Sequence, residues 1–367
     1  MKKLLALISG IIVIIVCLSL GVMRLNRTEN TQTNSSSKKV LNIYNWGDYI
    51  DPQLIKKFEK QTGYKVNYET FDSNEAMFTK IKQGGTPYDI AVPSDYMIQK
   101  MAKEKLLLPL DKHKIKGMDN NDPQFLDLSF DKHNKYSVPY FWGTLGIVYN
   151  DKYIKPGEIT NWNDLWNSKY RKQILFIDGA REFIGIGLNS LGYSLNSKND
   201  SQINQAYDKL KNLTPNAKAF VADEIKTYMQ NDEAPLAVTY SGEASEMLDN
   251  NSHLHYVIPD DGTNLWFDNI VIPKTAKNVK GAYEFINFML EPKNAAQNAE
   301  YIGYATPNDK AAKLLPKSIT SDKQFYPTKK QMSKMEVYAD LGQTYLEKYN
   351  DDFLELKSKH TIVWHYR

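Results

Sequence analysis

The sequence predicts an α/β protein built from two lobes, and three observations support that fold class. Strand-like and helix-like patterns alternate along most of the chain, which favours a mostly parallel sheet covered by helices on both faces. The chain has 367 residues, more than a single hydrophobic core usually holds. A long aromatic strand-like segment over 136–149 divides the alternating elements into two series. We expect this segment to cross from one lobe to the other.

The first 37 residues are predicted to be a targeting segment and a tether outside the fold. Lys2 and Lys3 precede twenty uncharged, mostly apolar residues over 4–23, enough for one membrane-spanning helix. An uncleaved signal anchor is favoured over a lipid anchor at Cys17, because bulky residues precede that cysteine. The lysines before the span and the polar stretch after it place the folded body outside the cytoplasm.

The first series of elements begins at Val40. We expect strands at 40–44, 65–70 and 88–92, and helices at 51–62, 74–83 and 95–105. The boundaries of the first helix are the clearest, since Asp51 can cap it, Pro52 suits its first position and Gly63 follows its end.

The second series follows the aromatic segment and ends in a run of helices. We expect strands at 173–177, 218–221 and 235–239, and helices at 181–191, 202–213, 224–230 and 242–249. A strand around Trp266 then leads back to the first lobe. The remaining helices are expected at 281–290, 294–301, 309–314, 328–341 and 351–357.

Charge and composition exclude several classes of function. Beyond residue 37 the chain carries 42 basic and 42 acidic residues, so a neutral body gives no support for nucleic-acid binding. The only cysteine is Cys17, which excludes disulfides, thiol catalysis and cysteine-based zinc sites in the body. His253 and His255 share a strand face without a third ligand nearby, and Ser241 lacks the context of a nucleophile. We therefore expect no metal, no cofactor and no catalytic residue.

The strand at Trp266 carries the strongest chemical signal. Alternation places Trp266 and Asp268 on one face and Phe267 on the other. No Lys or Arg occurs between Leu254 and Ile272 to neutralise this acid. An aromatic ring beside a free carboxylate suits an ammonium group on an apolar chain.

Similar groups recur where other strands end, and open α/β sheets bind ligands at such ends. These candidate residues are the acids, hydroxyls and aromatics Trp46, Asp48, Tyr49, Ser94, Asp95, Tyr96, Asp178, Glu182, Tyr240 and Ser241. Arg181 is the one base among them, and we expect it to orient Glu182 or nearby carbonyls rather than touch a cation. This bias predicts a cationic ligand, and a flexible diamine or triamine fits it better than a metal ion or an amino acid.

From about Val40 to Lys357 the sequence resembles the spermidine/putrescine-binding protein family, the solute receptors of bacterial polyamine ABC transporters. The motifs that carry the resemblance lie at 44–49, 92–96, 180–182, 266–268 and 303–308. The resemblance implies a two-lobed periplasmic-binding-protein fold, each lobe a mixed sheet flanked by helices, which closes about a hinge on a ligand in the cleft. It also implies a membrane permease and its ATPase as partners, and a polyamine as the ligand.

The resemblance assigns roles to individual residues. Trp46, Asp48, Tyr49, Ser94 and Tyr96 would line one side of the cleft, with Asp48 at a terminal amine. Glu182 and Asp268 would bind amine nitrogens. Tyr240, Trp266 and Tyr304 would enclose the aliphatic chain, and Tyr338 stands where relatives can have glutamine. The implied domains are 1–37 as anchor and tether, 38–143 with 268–312 as lobe 1, 144–267 with 313–358 as lobe 2, and 359–367 as a C-terminal tail.

Departures from the family pattern leave the preferred amine open. Gly47 stands where a hydroxyl is frequent, and Gly179 where a second acid is frequent. Asp178 is expected to face away from Gly179 and not to replace that acid. Two other functions stay as alternatives: a receptor for another solute, such as a sugar or ferric ion, and a secreted carbohydrase that uses two of these acids.

Overall fold

The computed structural model describes residues 39–362. The predicted signal anchor and Cys17 lie outside these residues. None of the helices in this described range is long and apolar enough to cross a membrane.

Within residues 39–362, nine strands form one continuous hydrogen-bonded sheet. They are β1 Val40–Trp46, β2 Lys65–Phe71, β3 Ile90–Ala91, β4 Ser137–Asn150, β5 Ile174–Ile177, β6 Ala217–Val221, β7 Leu236–Tyr240, β8 Leu254–Val257 and β9 Leu265–Val271. The order is β2-β1-β3-β9-β4-β7-β5-β6, and β8 also pairs with β4. The sheet therefore has two halves that share β4.

Strand β4 passes through both halves of the sheet, and all 14 of its residues are buried. Its first part, from Ser137 to Thr144, pairs with β9. Its second part pairs with β7 and β8 from Leu145 to Asn150. The segment at 136–149 therefore runs from one half of the sheet into the other, and that these halves coincide with the predicted lobes stays a prediction.

The sheet is mixed, so the mostly parallel sheet expected from the alternating patterns is wrong. Strands β1, β2 and β3 pair in parallel, as do β5, β6 and β7. Every pairing of β4 and β9 is antiparallel, because these two strands run back through the centre of the sheet. The mixed sheet in each half is the arrangement that the family resemblance implied.

Helices cover both faces of each half. They are α1 Pro52–Thr62, α2 Asn74–Gln83, α3 Asp95–Lys103, α4 Ala180–Asn189, α5 Asp200–Lys211, α6 Glu224–Gln230, α7 Ser241–Asn250, α8 Val279–Leu290, α9 Pro292–Ile302, α10 Asp309–Ala312, α11 Lys317–Thr320, α12 Lys329–Met332 and α13 Gln343–Ile362. Neighbouring strand residues enter cores on opposite faces. For example, Ile43 and Tyr44 of β1 lie in different clusters, as do Ile147 and Val148 of β4.

Two predicted helices near the end of the chain have the wrong extent. The helix expected at 328–341 is only α12, and the helix expected at 351–357 is the longer α13. After α12 the chain lies beside the start of β9: Leu265 N–H donates to the Glu336 carbonyl at 2.9 Å, and Glu336 N–H donates to the Thr263 carbonyl at 3.0 Å. These tertiary hydrogen bonds replace those of a helix. The lobe boundaries near 143 and 267 stay a prediction.

Candidate functional site

A cleft of about 630 Å³ lies where the two halves of the sheet meet. It is lined by all eleven residues expected at a ligand site, which are Trp46, Asp48, Tyr49, Ser94, Tyr96, Glu182, Tyr240, Trp266, Asp268, Tyr304 and Tyr338. The volume lies in the range typical of small-molecule sites. The structure thus brings the predicted residues together, and their binding roles stay a proposal.

Strand ends position most of these side chains, as expected for an open sheet. Strand β1 leads into the turn with Asp48, β5 leads to Glu182 in the first turn of α4, and β7 ends at Tyr240. Strand β9 contributes Trp266 and Asp268 directly from one face. Phe267, on the opposite face, packs in a separate core. The alternation predicted for this strand is confirmed.

Asp268 is held by two hydroxyl donors. Ser94 Oγ donates to Oδ1 and Tyr49 Oη donates to Oδ2, each at 2.6 Å. Asn74 fixes Ser94 in turn, because its Nδ2 donates to Ser94 Oγ and its Oδ1 accepts from Ser94 N–H, both at 3.0 Å. The carboxylate is only 7 % exposed. Burial raises the pKa of Asp268 to about 6, against the two hydroxyl hydrogen bonds, which lower it.

Glu182 is the second buried acid of the cleft. Tyr240 Oη donates to its Oε1 at 2.7 Å. Burial raises the pKa of Glu182, while the Tyr240 hydrogen bond opposes the shift. The first turn of a helix favours a negative charge, so the position at the start of α4 also stabilises the carboxylate.

A chain of aromatic rings joins the two buried acids. The ring centroids of Tyr49, beside Asp268, and Tyr304 lie 5.6 Å apart. Those of Tyr304 and Trp266 lie 5.1 Å apart. Those of Trp266 and Tyr240, which is beside Glu182, lie 6.1 Å apart. All three pairs meet edge to face. The ring faces left open can contact methylene groups, and they attract cations. The arrangement suits an alkyl chain with a charge near each end.

Asp48 differs from the buried acids because it is exposed at the turn after β1. Its φ of 47° lies in the left-handed region, which few side chains other than Asp and Asn adopt readily. Beside it, Trp46 is anchored by a hydrogen bond of 3.0 Å from its indole Nε1 to the Val92 carbonyl. Asp48 is therefore an exposed acid in the lining of the cleft.

The charge balance of the cleft is strongly negative. Ten carboxylic residues line it, and Lys226 is its one lining base in the described part of the chain. Lys226 forms an ion pair with Glu246 at 2.8 Å. Over residues 39–362, neither Asp48, Glu182 nor Asp268 has a Lys or Arg nitrogen within ion-pair distance. The site can therefore bind cations with its own carboxylates.

Arg181 lies behind the cleft wall. Its guanidinium donates to the Ala339 carbonyl at 3.1 Å and to Asn196 Oδ1 at 2.9 Å, and it lies 4.2 Å from the Tyr338 ring centroid. The expectation that it binds nearby carbonyls is confirmed. His253 and His255 both hydrogen-bond Asp151, at 2.7 and 2.9 Å. No cluster that could hold a metal ion occurs among the residues described.

Gly47 and Gly179, the two glycines that depart from the expected family pattern, have different surroundings. A Cβ at Gly179 would lie 2.0 Å from Glu182 Oε2, so the Glu182 carboxylate occupies the space where a side chain at 179 would begin. A Cβ at Gly47 would meet nothing within 4 Å. Asp178 lies beside the cleft, but its carboxylate accepts two hydrogen bonds of 2.7 Å from Lys357. It therefore does not replace the second acid that the family resemblance led us to expect at 179.

Three further polar residues line the cleft, and of these only Asp95 was among the candidates expected at the strand ends. Asp95 accepts from the Phe267 and Tyr96 N–H groups, and burial raises its pKa to about 8, so it is largely neutral at pH 7. Burial likewise raises the pKa of Glu243 to about 7, and Thr239 donates to its carboxylate. Asn264 lies on the same face of the strand as Trp266 and Asp268, and its two-residue spacing from Trp266 is the signal that could have identified it.

Comparisons with known proteins agree with this geometry. The family model for bacterial extracellular solute-binding proteins matches residues 53–328. A spermidine/putrescine-binding periplasmic protein of Salmonella typhimurium is 41% identical over 311 residues, which cover 84% of this chain and 89% of that protein.

Two solved structures are also similar. The putative spermidine/putrescine ABC transporter from Listeria monocytogenes is 62% identical with a TM-score of 0.83, covering 87% of this chain and 99% of that one. A spermidine/putrescine ABC transporter substrate-binding protein from Streptococcus pneumoniae is 57% identical with a TM-score of 0.81, covering 88% of this chain and 99% of that one.

Proposed function

Because the chain belongs to the spermidine/putrescine-binding proteins among the bacterial extracellular solute-binding proteins, we propose that it captures polyamines outside the membrane for an ABC transporter. Its relatives are named for binding and transport, and we propose a binding role without catalysis for this chain as well.

The observation that carries the proposal is the pair of buried acids joined by aromatic rings. Asp268 and Glu182 each have hydroxyl donors, and neither has an ion-pair partner in the described chain. A charge-assisted hydrogen bond to each ammonium contributes roughly 1.5 to 3 kcal/mol, and each buried methylene about 0.8 kcal/mol. Two or more ammonium groups on one alkyl chain are therefore needed to offset the several kcal/mol lost on ordering the ligand.

We give a role in this proposal to each of the eleven predicted residues of the cleft. Glu182 and Asp268 bind amine nitrogens, and Asp48 meets a terminal amine at the mouth. The rings of Tyr240, Trp266 and Tyr304 enclose the methylene groups. The other lining residues expected at the site, Trp46, Tyr49, Ser94, Tyr96 and Tyr338, complete the walls.

We also propose the context of the protein in the cell. A permease and its ATPase, encoded elsewhere, would receive the polyamine from the closed receptor. The apolar segment at 4–23 would hold the protein at the outer face of the membrane as a signal anchor, with lipidation of Cys17 as the alternative. The lobes would be 38–143 with 268–312 and 144–267 with 313–358.

Calorimetry and thermal-shift measurements on the purified full-length protein test the proposed ligand. We expect putrescine or spermidine to bind with micromolar or better affinity and to raise the melting temperature, because a ligand that binds only the folded state stabilises it. Maltodextrin and ferric citrate serve as the comparison ligands. A melting shift with maltodextrin or ferric citrate, and none with either polyamine, would contradict the proposal.

A further inference from the structure

Tyr140 is the extra residue of a β-bulge in β4. The pairing of β4 with β9 shifts between Pro139, which pairs with Asn269, and Phe141, which pairs with Asp268. Tyr140 and Phe141 both pack in the same core, although consecutive residues of a regular strand point to opposite faces. Bulges next to functional sites often redirect side chains, and this one brings two aromatic rings to one face.

The Tyr140 side chain supports Tyr49 from behind the cleft. Its hydroxyl donates to the Tyr49 carbonyl at 2.6 Å, and the two rings meet edge to face with their centroids 5.5 Å apart. The Phe141 ring also meets the Tyr49 ring, at 5.3 Å. Tyr140 is 7 % exposed and does not line the cleft. A ligand in the cleft therefore meets Tyr49 and not Tyr140.

Asn298 of α9 completes this support. Its Nδ2 donates to the Tyr140 hydroxyl at 2.9 Å, so the hydroxyl proton is left for the Tyr49 carbonyl. Its Oδ1 accepts from the Asp51 N–H at 2.9 Å. The Asn298 side chain is 1 % exposed. The Tyr49 carbonyl and the Asp51 N–H are thus held by buried side chains from β4 and α9.

The backbone held in this way is the turn over 47–51, which joins β1 to α1. It carries Tyr49, whose hydroxyl donates to Asp268 Oδ2 at 2.6 Å. Turns are more mobile than the elements that they join, and a hydrogen bond depends steeply on geometry. The contact with Asp268 therefore needs a fixed turn, and a strand and a helix supply the rigid support.

We propose that Tyr140 and Asn298 are positioning residues for polyamine binding, because they fix the turn so that the Tyr49 hydroxyl reaches Asp268. This inference rests on the proposed function. Without the hydrogen bond from Tyr140 the turn shifts, and Ser94 is left as the hydroxyl donor to Asp268. The carboxylate then loses the orientation in which it meets an ammonium group.

Isothermal titration calorimetry with spermidine tests the inference on full-length variants. In Tyr140→Phe we expect the affinity to fall roughly tenfold, because a buried hydrogen bond that holds the site is lost. In a Tyr49→Phe background the hydroxyl that Tyr140 positions is absent, so the same substitution should change the affinity little. A merely structural effect would lower the affinity by the same factor in both backgrounds.

The pH dependence of spermidine affinity gives a second readout. The hydrogen bond from Tyr49 lowers the pKa of Asp268, so its loss raises that pKa above the value of about 6. We expect the affinity of Tyr140→Phe to decline at a higher pH than that of the wild type, as in Tyr49→Phe. The other titratable groups near Asp268 are Asp95, Tyr140 and Tyr304. Burial raises the pKa of each, that of Asp95 to about 8, so they stay largely neutral below pH 7.

Tyr283→Phe is the matched control. Tyr283 packs in the same core as Tyr140 and is also 7 % exposed, and its hydroxyl accepts from the Asp111 N–H at 2.7 Å. It does not line the cleft. We expect this variant to lower the melting temperature and to leave the spermidine affinity and its pH profile unchanged.

The possible outcomes separate the inference from the proposed function. If the wild-type protein does not bind spermidine, the proposed function fails and the inference fails with it. If the wild type binds and Tyr140→Phe binds equally well, or loses the same factor in the Tyr49→Phe background, only the inference is overturned. Should Tyr140→Phe not fold, Asn298→Leu decides: weaker binding with a pH profile shifted upward supports the inference, and an unshifted profile overturns it.

Discussion

At the residue scale, the proposed function depends on acids that have no cationic partner in the described part of the chain. Asp268 and Glu182 are buried and hydrogen-bonded to hydroxyl groups, which satisfy one part of each carboxylate and leave other lone pairs free. Burial without a cation is unfavourable, as the raised pKa values of both acids indicate. A bound ammonium group would remove that cost, and the free energy regained becomes part of the binding affinity.

Replacing Asp268 with asparagine should weaken spermidine binding by about 2 kcal/mol or more, because a charge-assisted hydrogen bond is lost in a buried site. Calorimetry on the Asp268→Asn variant measures the effect. Asp309→Asn is a suitable control, since Asp309 pairs with Lys313 on the surface, at 2.6 Å, and does not line the cleft. Unchanged affinity in Asp268→Asn would remove Asp268 from the site.

Polyamine affinity should also depend on pH. The pKa of Asp268 is raised to about 6, so the carboxylate loses its charge as the pH falls through that value, while alkyl amines stay protonated. We expect the affinity for spermidine to be higher at pH 7.5 than at pH 5, measured by calorimetry. The Asp268→Asn variant should show a smaller change over this range. An affinity in the wild type that is independent of pH would contradict this assignment.

The sequence was most informative for side chains whose position follows from alternation or from a strand end. Trp266 and Asp268 are on one strand face, and Glu182 follows β5, so their places in the cleft follow from the sequence pattern alone. Glu243 and Asn264 were not predicted, because the burial of their side chains depends on tertiary packing. Such properties arise only when distant segments, such as that at Glu336, pack against them.

At the element scale, the turn between β5 and α4 sets the position of Glu182. The missing side chain at Gly179 leaves room for the Glu182 carboxylate. The absence of a side chain at 179, where the family resemblance implies a second acid, thus gives Glu182 its place. This local arrangement links the departure from the family pattern to the geometry of the site.

We expect Gly179→Ala to displace Glu182 and to weaken spermidine binding by roughly 1 kcal/mol or more, within the strength of one charge-assisted hydrogen bond. The Cβ would lie 2.0 Å from Glu182 Oε2, and the flexible side chain would yield before the backbone. Gly47→Ala is the control, because its Cβ meets no atom within 4 Å. Calorimetry that finds equal affinity in both variants would contradict the role of Gly179.

Helix boundaries could be predicted where local capping groups determine them. Asp51 accepts from Gln53 N–H at 2.8 Å and Gly63 ends α1 in the left-handed conformation, as their sequence positions suggested. The segment after α12 could not be predicted in this way. Its sequence pattern favours a helix, but Glu336 forms hydrogen bonds with Thr263 and Leu265, which are remote in sequence, and the segment is therefore not helical.

At the scale of the whole molecule, the two lobes touch across the cleft. Tyr304, which follows α9, packs on Gly242 of α7, where a Cβ would lie 1.9 Å from the ring. Asp340 N–H also donates to Gln99 Oε1 at 2.9 Å. These contacts join the proposed lobes on the two sides of the ligand site. A side chain at 242 would therefore keep Tyr304 from packing on α7 and hold the proposed lobes farther apart.

Gly242→Ala should lower spermidine affinity by roughly tenfold while each lobe stays folded, because the added methyl group collides with the rigid Tyr304 ring. Calorimetry measures the affinity, and small-angle scattering with and without spermidine measures whether the molecule becomes more compact. Gly85→Ala, with no atom within 4 Å of the new Cβ, is the control. Normal affinity and compaction in Gly242→Ala would show that this contact does not control closure.

The shared strand β4 also limits how the protein can be engineered. Its two parts pair with different neighbours, with a register shift between Pro139 and Phe141, and none of its residues is exposed. A split reporter that divides the chain inside 137–150 would leave a sheet edge with unpaired backbone groups on each fragment. Such edges favour aggregation over reassembly. Fluorescent modules belong instead at a surface turn such as Gly157, which has no atom within 4 Å of its Cβ position.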